Sequence, residues 1–475
     1  MVALGLFAHA PSGWSQPFSF DDPFRTLERV SPAPGVAWQP TQPLPIVGVP
    51  EGAPAPAASA RLTLAELTEY ALHHNPRARQ AWFSARAAAA NVGIERGGDL
   101  PQLSGTFGLT RILPLSGTTG TLSPWQTRFG PTATLSYVLM NLAGDSRTEA
   151  LDYRLLAANL TQNRVLQDVV FQVEQAYYRL LGVDLLTRVN ELTLKNIRTV
   201  LDAAQRRRES GLATVADIYR TDTQVAQAQV NLTRSRGEHE KARGQLAAAV
   251  GLPVNQALPI QAFSDLPPIR EVTASVDQML ERARASRPDL VAAEAQARAA
   301  RATVEAASKA GYPTLEIVGT AGNTQFFNEA NRFRPDVTNY TLALTLRIPI
   351  FSGFRETYTT AQARALAEQA EASRDTLYRQ TELDVWQAYY DVRTAASGVG
   401  STDAQVRSAE QTAQATLARY QAGFGSILDL ITAQQDESNA RVQRIQSYLD
   451  WYTALARLHF STGFNDLMAA SGSKK

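Results

Sequence analysis

Residues 173–180 read VEQAYYRL and residues 385–392 read VWQAYYDV, so Gln-Ala-Tyr-Tyr is written twice, displaced by 212 positions from Gln175 to Gln387. The same displacement of 212 carries Pro76 to Pro288, Pro101 to Pro313, and GLATVAD at Gly211–Asp217 to GFGSILD at Gly423–Asp429. One pair slips: NLAG ends at Gly144 and IFSG at Gly353, an offset of 209, and the three residues are recovered before the Gln-Ala-Tyr-Tyr pair. Landmarks repeated at one spacing mark a tandem duplication, with repeats expected at 61–265 and 270–470. Two copies are too few for a solenoid and fit one pseudo-symmetric body.

Each half changes period in the same order. Ala-rich helical stretches, RARQAWFSARAAAANVGIERG and LVAAEAQARAARATVEAASKAG, run into Gly and then Pro. Alternation follows. In NYTLALTLRIPI, Tyr340, Leu342, Leu344, Leu346 and Ile348 alternate with Thr341, Ala343, Thr345 and Arg347; GPTATLSYVLM sets Ala133, Leu135, Tyr137 and Leu139 against Thr132, Thr134 and Ser136. PQLSGTFGLTRIL puts Leu103, Phe107 and Leu109 on one side, and PTLEIVGTAG, the weakest of the four, offers Leu315 and Ile317. Hairpins are therefore expected at about 102–142 and 314–351. Their strands of about ten residues match the length that crosses a hydrocarbon core when tilted.

After each hairpin the helical pattern resumes. From Ser146 to Ser210 there is no proline, and Leu151, Leu155, Ala158, Val165, Val169, Val173, Ala176 and Leu180 form a narrow stripe near coiled-coil spacing. Turns near 211 and 423 send the chain back, so each repeat ends in a long helical hairpin.

Composition narrows the function. The 46 basic and 45 acidic residues nearly cancel, so nothing favours nucleic acid. There is no cysteine, which removes disulfides, thiolate metal sites and a cysteine nucleophile. No apolar run is long enough for a membrane helix, but β-barrel strands carry a far weaker signal. Residues 11–60 hold eleven prolines, and the segment 1–60 reads as an extended N-terminal stretch. The Ala8-His9-Ala10 near its start fits either a signal-peptide remnant or a plain tail. No catalytic triad, phosphate loop or metal-ligand cluster emerges, so neither enzymatic chemistry nor a cofactor is expected; His73 and His74 point about 100° apart on a helix, with no further ligand spaced to help.

Four strands with apolar faces cannot close a membrane barrel, since the smallest have about eight. An open edge in lipid costs several kcal/mol per unpaired group, so chains must pool strands, two giving eight and three giving twelve. Abundant Ala on more than one helix face suits a cylinder of closely spaced helices. The alternative is a soluble, elongated periplasmic scaffold or adaptor, which would have no use for a lipid-facing band.

From about residue 61 to 465 the chain resembles the TolC-type outer-membrane efflux protein family. The resemblance is carried by the duplicated plan, by LRIPIFSGF (346–354), by the ALHHNP and RPDL entries, and above all by RYQAGFGSILDLITAQ (419–434). It implies a trimer with a twelve-stranded β-barrel in the outer membrane of a Gram-negative bacterium and an α-helical barrel forming a periplasmic tunnel. It also implies a passive exit duct for tripartite efflux or type I secretion, docked by a periplasmic adaptor and served by an inner-membrane transporter of RND or ABC type.

The resemblance places Asp429 at the narrow periplasmic mouth, where threefold symmetry would make a ring of carboxylates. Against that stands an ordinary acidic residue in a first helical turn. Thr432 occupies a position where the family often has a second Asp. Asp217 is expected to face Tyr420 as a gate latch, or else simply to start its helix; the Arg that joins the latch in some members is here Gly425. The turns Gly211-Leu212-Ala213-Thr214 and Gly423-Phe424-Gly425-Ser426 would be the adaptor-docking tips, with Thr214 and Ser426 as N-caps, unless Leu212 and Phe424 merely staple the turns. Tyr177-Tyr178 and Tyr389-Tyr390 read as helix packing, Arg206-Arg207-Arg208 as a solvated face. Phe107, Trp125, Tyr137, Phe326, Phe327, Phe333, Tyr340 and Phe351 read as an aromatic girdle.

Overall fold

The computed structural model describes residues 62–113, 125–256, 272–328 and 336–463, with Leu258, Ile260 and Ile269; the Pro-rich segment 1–60, Ala8-His9-Ala10 and Phe333 lie outside them. Twelve elements follow in order among the described residues: α1 (Leu64–His74), α2 (Pro76–Gly98), β1 (Gln102–Ile112), β2 (Gln126–Asn141), α3 (Gly144–Glu209), α4 (Val215–Val250), α5 (Val276–Ser286), α6 (Pro288–Lys309), β3 (Thr314–Asn328), β4 (Asp336–Arg347), α7 (Arg355–Gln421) and α8 (Ile427–Ser461). The second six repeat the first six.

Helix starts are written into the sequence. Thr63 caps α1 and Ser275 caps α5, each in a capping box, with Glu66 and Gln278 three residues on. Pro76 and Pro288 sit in the first turns of α2 and α6, where a missing N–H costs nothing. With 66 and 67 residues, α3 and α7 each extend about 100 Å at 1.5 Å per residue.

The duplication reaches the core. Leu67, Ala71, Val173, Tyr177, Leu180, Ala242 and Leu246 are buried together where α1, α3 and α4 meet. Met279, Ala283, Val385, Tyr389, Val392, Ala454 and Leu458, each 212 positions later, are buried where α5, α7 and α8 meet. Three of the four paired tyrosines are packing residues, since Tyr177 and Tyr389 lie in these cores and Tyr178 stacks on Tyr452 at 4.9 Å, whereas Tyr390 is exposed. The expected stripe along α3 is buried at Val169, Val173 and Leu180, but in the first turns small residues, Ser146, Ala150 and Ala157, take its place. Facing them α6 buries Ala292, Ala295, Ala299, Ala302 and Ala306, and small side chains on both sides let the helices approach closely.

One device closes both halves. Gly251 (φ 93°) and Gly463 (φ 73°) end α4 and α8 in the left-handed region. A Cβ on Gly251 would lie 2.9 Å from Asn75 Cα, and one on Gly463 would lie 2.9 Å from the Ser286 carbonyl carbon. The helix end is thus pressed onto the junction before α2 or α6. There Asn75 Nδ2 donates to the Ala249 carbonyl at 2.8 Å, and Arg287 donates to the Ser461 carbonyl at 3.3 Å.

The second half adds charge at this junction. Arg287 is only 3% exposed and donates through Nε to Asp289 at 3.0 Å. Arg164 of α3 lies 3.7 Å from Asp289, and its guanidinium sits 3.7 Å above the Phe460 ring. Gln167 Nε2 donates to the Gly463 carbonyl at 2.9 Å. Burial alone would push the Asp289 carboxyl up, but hydrogen bonds from Arg287 and the charges of Arg164 and Arg287 outweigh it and hold Asp289 below the usual carboxylate range.

The four strands form one antiparallel sheet in the order β1-β2-β3-β4. They run 11, 16, 15 and 12 residues, longer than the ten expected. The weakest stretch became the 15-residue β3, and β4 ends at Arg347, one residue before Ile348, because Pro349 has no N–H to continue a ladder. Gly130 and Pro131 do not begin β2 but interrupt its pairing with β3 between Phe129 and Thr132. Helices enter and leave the sheet at the end marked by Gln102, Asn141, Thr314 and Arg347; segments 113–125 and 329–335 connect strands at the other.

Breaking the Arg287–Asp289 pair strands a buried guanidinium, so Asp289→Asn should cost about 2 kcal/mol, below the usual cost of a buried pair because Asp384 remains 3.9 Å from Arg287. A carboxyl whose value is lowered on folding contributes stability that is complete above its unfolded value near pH 4 and lost as pH falls through the folded value. Thermal unfolding of detergent-solubilised protein should show the Asn variant melting lower at pH 7 with a shallower loss of stability on acidification. Equal melting at pH 7 would contradict this assignment.

Candidate functional site

Two regions carry groups that a packed fold does not require: the turn end of the long hairpins and the sheet. At the first, α3 and α7 stop against Gly211 (φ 75°) and Gly423 (φ 89°). Thr214 accepts from the Asp217 N–H, and the Asp217 carboxylate accepts from the Thr214 N–H at 2.9 Å and hydroxyl at 2.8 Å. These two bonds hold Asp217 below the usual carboxylate range. Ser426 Oγ accepts from the N–H groups of Leu428 at 3.1 Å and Asp429 at 3.2 Å. Both residues read as N-caps are caps.

The hydrogen bond expected between Tyr420 and Asp217 is not formed. Asp217 spends its carboxylate on its own helix start, and the Tyr420 hydroxyl is buried without a hydrogen-bond partner. Tyr420 is instead held by Arg207, whose guanidinium sits 4.5 Å above the ring and donates to the Tyr420 carbonyl near the end of α7. Arg206 and Arg208 are exposed, but Arg207 is not the solvated residue expected of that triplet. Around this contact Val200 and Ala204 of α3 bury Tyr420, Ile427, Leu430 and Ile431. The one legible hint was an Arg 213 positions before Tyr420 on a parallel helix, which only the fold makes a neighbour. Gly425 also has a reason: a Cβ there would lie 3.0 Å from the Tyr420 nitrogen, so a side chain would require the backbone of this turn to shift.

Asp429 and Thr432 are exposed on one face of α8, and Asp436 continues that face two turns on from Asp429. Leu212 is 69% and Phe424 82% exposed, so neither staples its turn. Val215, Tyr219 and Leu428 are exposed beside them, making an apolar surface at the tips.

The two faces of the sheet differ in character. Residues opposite one another share a face. Leu103 pairs with Leu135, Phe107 with Pro131, Leu109 with Phe129, Ile317 with Leu344, and Ala321 with Tyr340. That face is exposed: Tyr340 is 81% and Leu342 77% accessible. The other face carries Ser104, Thr106, Thr110, Thr132, Thr134, Ser136, Thr320, Thr324, Thr341 and Thr345. Phe107, Tyr137 and Tyr340 thus fit an outward girdle, whereas Phe326 stands on the polar face and Phe351 follows the end of β4. The outer edges of β1 and β4 pair with no other strand among the described residues. None of the described helices is long and apolar enough to cross a membrane, and no group of three or more His, Cys, Asp or Glu side chains among the described residues could hold a metal.

A sheet apolar on one face and polar on the other, joined to helices about 100 Å long, defines a membrane-channel subunit with a helical extension. The sequence matches the outer membrane efflux protein family over residues 67–252 and 279–464, one match in each repeat, and the chain belongs to that family. It is 28% identical over 390 residues to protein CyaE of Bordetella pertussis, covering 81% of this chain and 80% of that one. It is also 28% identical over 332 residues to the pyoverdine export outer membrane protein OpmQ of Pseudomonas putida, covering 68% and 66%. The fold superposes on the outer membrane protein VceC of Vibrio cholerae with a TM-score of 0.74 at 19% identity, covering 85% of this chain and 96% of that one. The protein is an outer-membrane channel of the efflux or secretion type, with a periplasmic helical tunnel.

Removing the Arg207 guanidinium deletes a cation–π contact and a helix-end donor, together about 1–2 kcal/mol locally. In Arg207→Ala, amide exchange at the last turns of α7 should quicken roughly tenfold. Unchanged exchange there, in a variant with native melting, would show that the contact holds nothing.

Proposed function

We propose that three copies of the chain close one twelve-stranded barrel and one helical tunnel, forming the passive exit duct of a tripartite machine. The observation that carries this is the four-stranded sheet with one apolar face and two open edges. An edge strand of 11 or 12 residues points about half its N–H and C=O groups outward. At several kcal/mol per group in hydrocarbon, a free edge costs on the order of 30 kcal/mol. Another copy is the available remedy. Two copies would give eight strands, whose interior side chains fill the space; three give twelve and leave a water-filled bore, which suits the polar inner face.

In this arrangement the tips with Leu212, Thr214, Phe424 and Ser426, turned by Gly211 and Gly423, receive a periplasmic adaptor, and an inner-membrane transporter of RND or ABC type supplies the energy. The exposed apolar residues at the tips support this docking. Asp429 stands at the narrow end as a ring of three carboxylates, thinner than a double ring because Thr432 follows it. Closure of that mouth rests on Arg207 and Tyr420 within each copy rather than on a Tyr420–Asp217 bond.

Planar-bilayer recordings of Asp429→Ala should show reduced cation preference; an unchanged reversal potential would remove the ring. Introducing Asp at both Leu212 and Phe424 should abolish efflux while leaving assembly intact, and normal drug resistance in that variant would rule out docking at the tips.

A further inference from the structure

The charges on the sheet are few and unevenly placed. On the polar face stand Arg128, Glu316 and Arg347; Arg111 and Asp336 belong to the opposite face. Glu316 faces Thr345, and Arg347 is the next residue on that face, so these two opposite charges lie together at the helical end of the sheet. Arg128 lies at the other end, ten residues along β3 from Glu316 when counted from its partner Phe326, or about 34 Å at 3.4 Å per residue. Its neighbours on the polar face are Thr110, Gln126, Gly130 and Phe326, none of them acidic. The guanidinium sits 5.2 Å above the Phe326 ring, a contact that leaves its charge unneutralised.

We propose that Arg128 forms a cationic ring inside the bore at its outward end, a site that attracts phosphate- or carboxylate-bearing solutes. This rests on the three-copy duct described above. Twelve strands about 4.8 Å apart and tilted about 40° enclose a wall about 24 Å across. An arginine reaches about 6 Å inward, which leaves each charge about 6 Å from the axis. That is shorter than the Debye length of about 8 Å at physiological ionic strength, so three guanidinium groups act on the whole cross-section. The two ends of the duct then carry opposite signs, carboxylates at Asp429 and guanidinium groups at Arg128. Anionic cargo is drawn through the outward end, and cations outside are turned away from it.

The test is tripolyphosphate added to the outward side of single channels in planar bilayers. The wild-type channel should be blocked with a midpoint about tenfold lower than that of Arg128→Gln, as expected when a polyanion meets three partly screened charges. Arg128→Lys, which keeps the charge, should retain the block, and Asp429→Ala should not move it. Conducting wild-type and Gln channels that block alike would overturn the inference while leaving the duct intact. A wild-type protein that never conducts would overturn the duct and the inference together.

Discussion

A backbone N–H or C=O that enters hydrocarbon without a partner costs several kcal/mol, and this chain has two rows of them. Every other feature of the sheet is arranged around that constraint. Leucines and aromatics cover one face, hydroxyls the other, and the pairing from β1 to β4 is continuous across the join between the two repeats, since β2 of the first pairs with β3 of the second. The duplication therefore does not give two small sheets. It gives one four-stranded segment with two open edges, which the proposed arrangement closes by sharing the wall between copies.

The helical part answers to a different requirement. Two cores, built from residues 212 positions apart, fasten α1 and α5 to the long hairpins in the same way. The left-handed glycines at 251 and 463 press each returning helix onto the same junction, so the repeats are fixed by equivalent contacts made from different side chains, Asn75 in one and Arg287 in the other. The second junction buries charge where the first buries an amide. Only the second draws in Arg164 and Gln167 of α3, which ties the end of the second repeat to the first. At the tips the asymmetry recurs: Arg207 of the first hairpin holds Tyr420 of the second.

Much of this was legible because it is local. Period two against period 3.6 located the strands and helices, and Thr214 and Ser426 announced helix starts by their own chemistry. The full length of β3 was not, because Gly319, Gly322, Asn323 and Gln325 break the alternation while the ladders to β2 and β4 carry them as strand. Contacts between repeats were illegible for a plainer reason. Arg207 reads as one of three surface arginines until α8 is laid along α3 and brings the end of α7 with it, whereas the alternative reading of Asp217 as a helix-start residue was local and is the one its bonds to Thr214 fulfil. Arg128 likewise looks like a blemish in a strand until register assigns it to the polar face.

The shared wall can be tested directly because the chain has no cysteine of its own. A cysteine at Ser104 on the polar face of β1 is combined with one at Thr341, Ala343 or Thr345 on the same face of β4, and the membranes are oxidised. One of the three pairings should join copies covalently into dimers and trimers that survive denaturing electrophoresis and revert with reductant. If every pairing left only single chains while the protein still conducted, β1 and β4 would not meet across copies, and the sheet would have to be closed some other way.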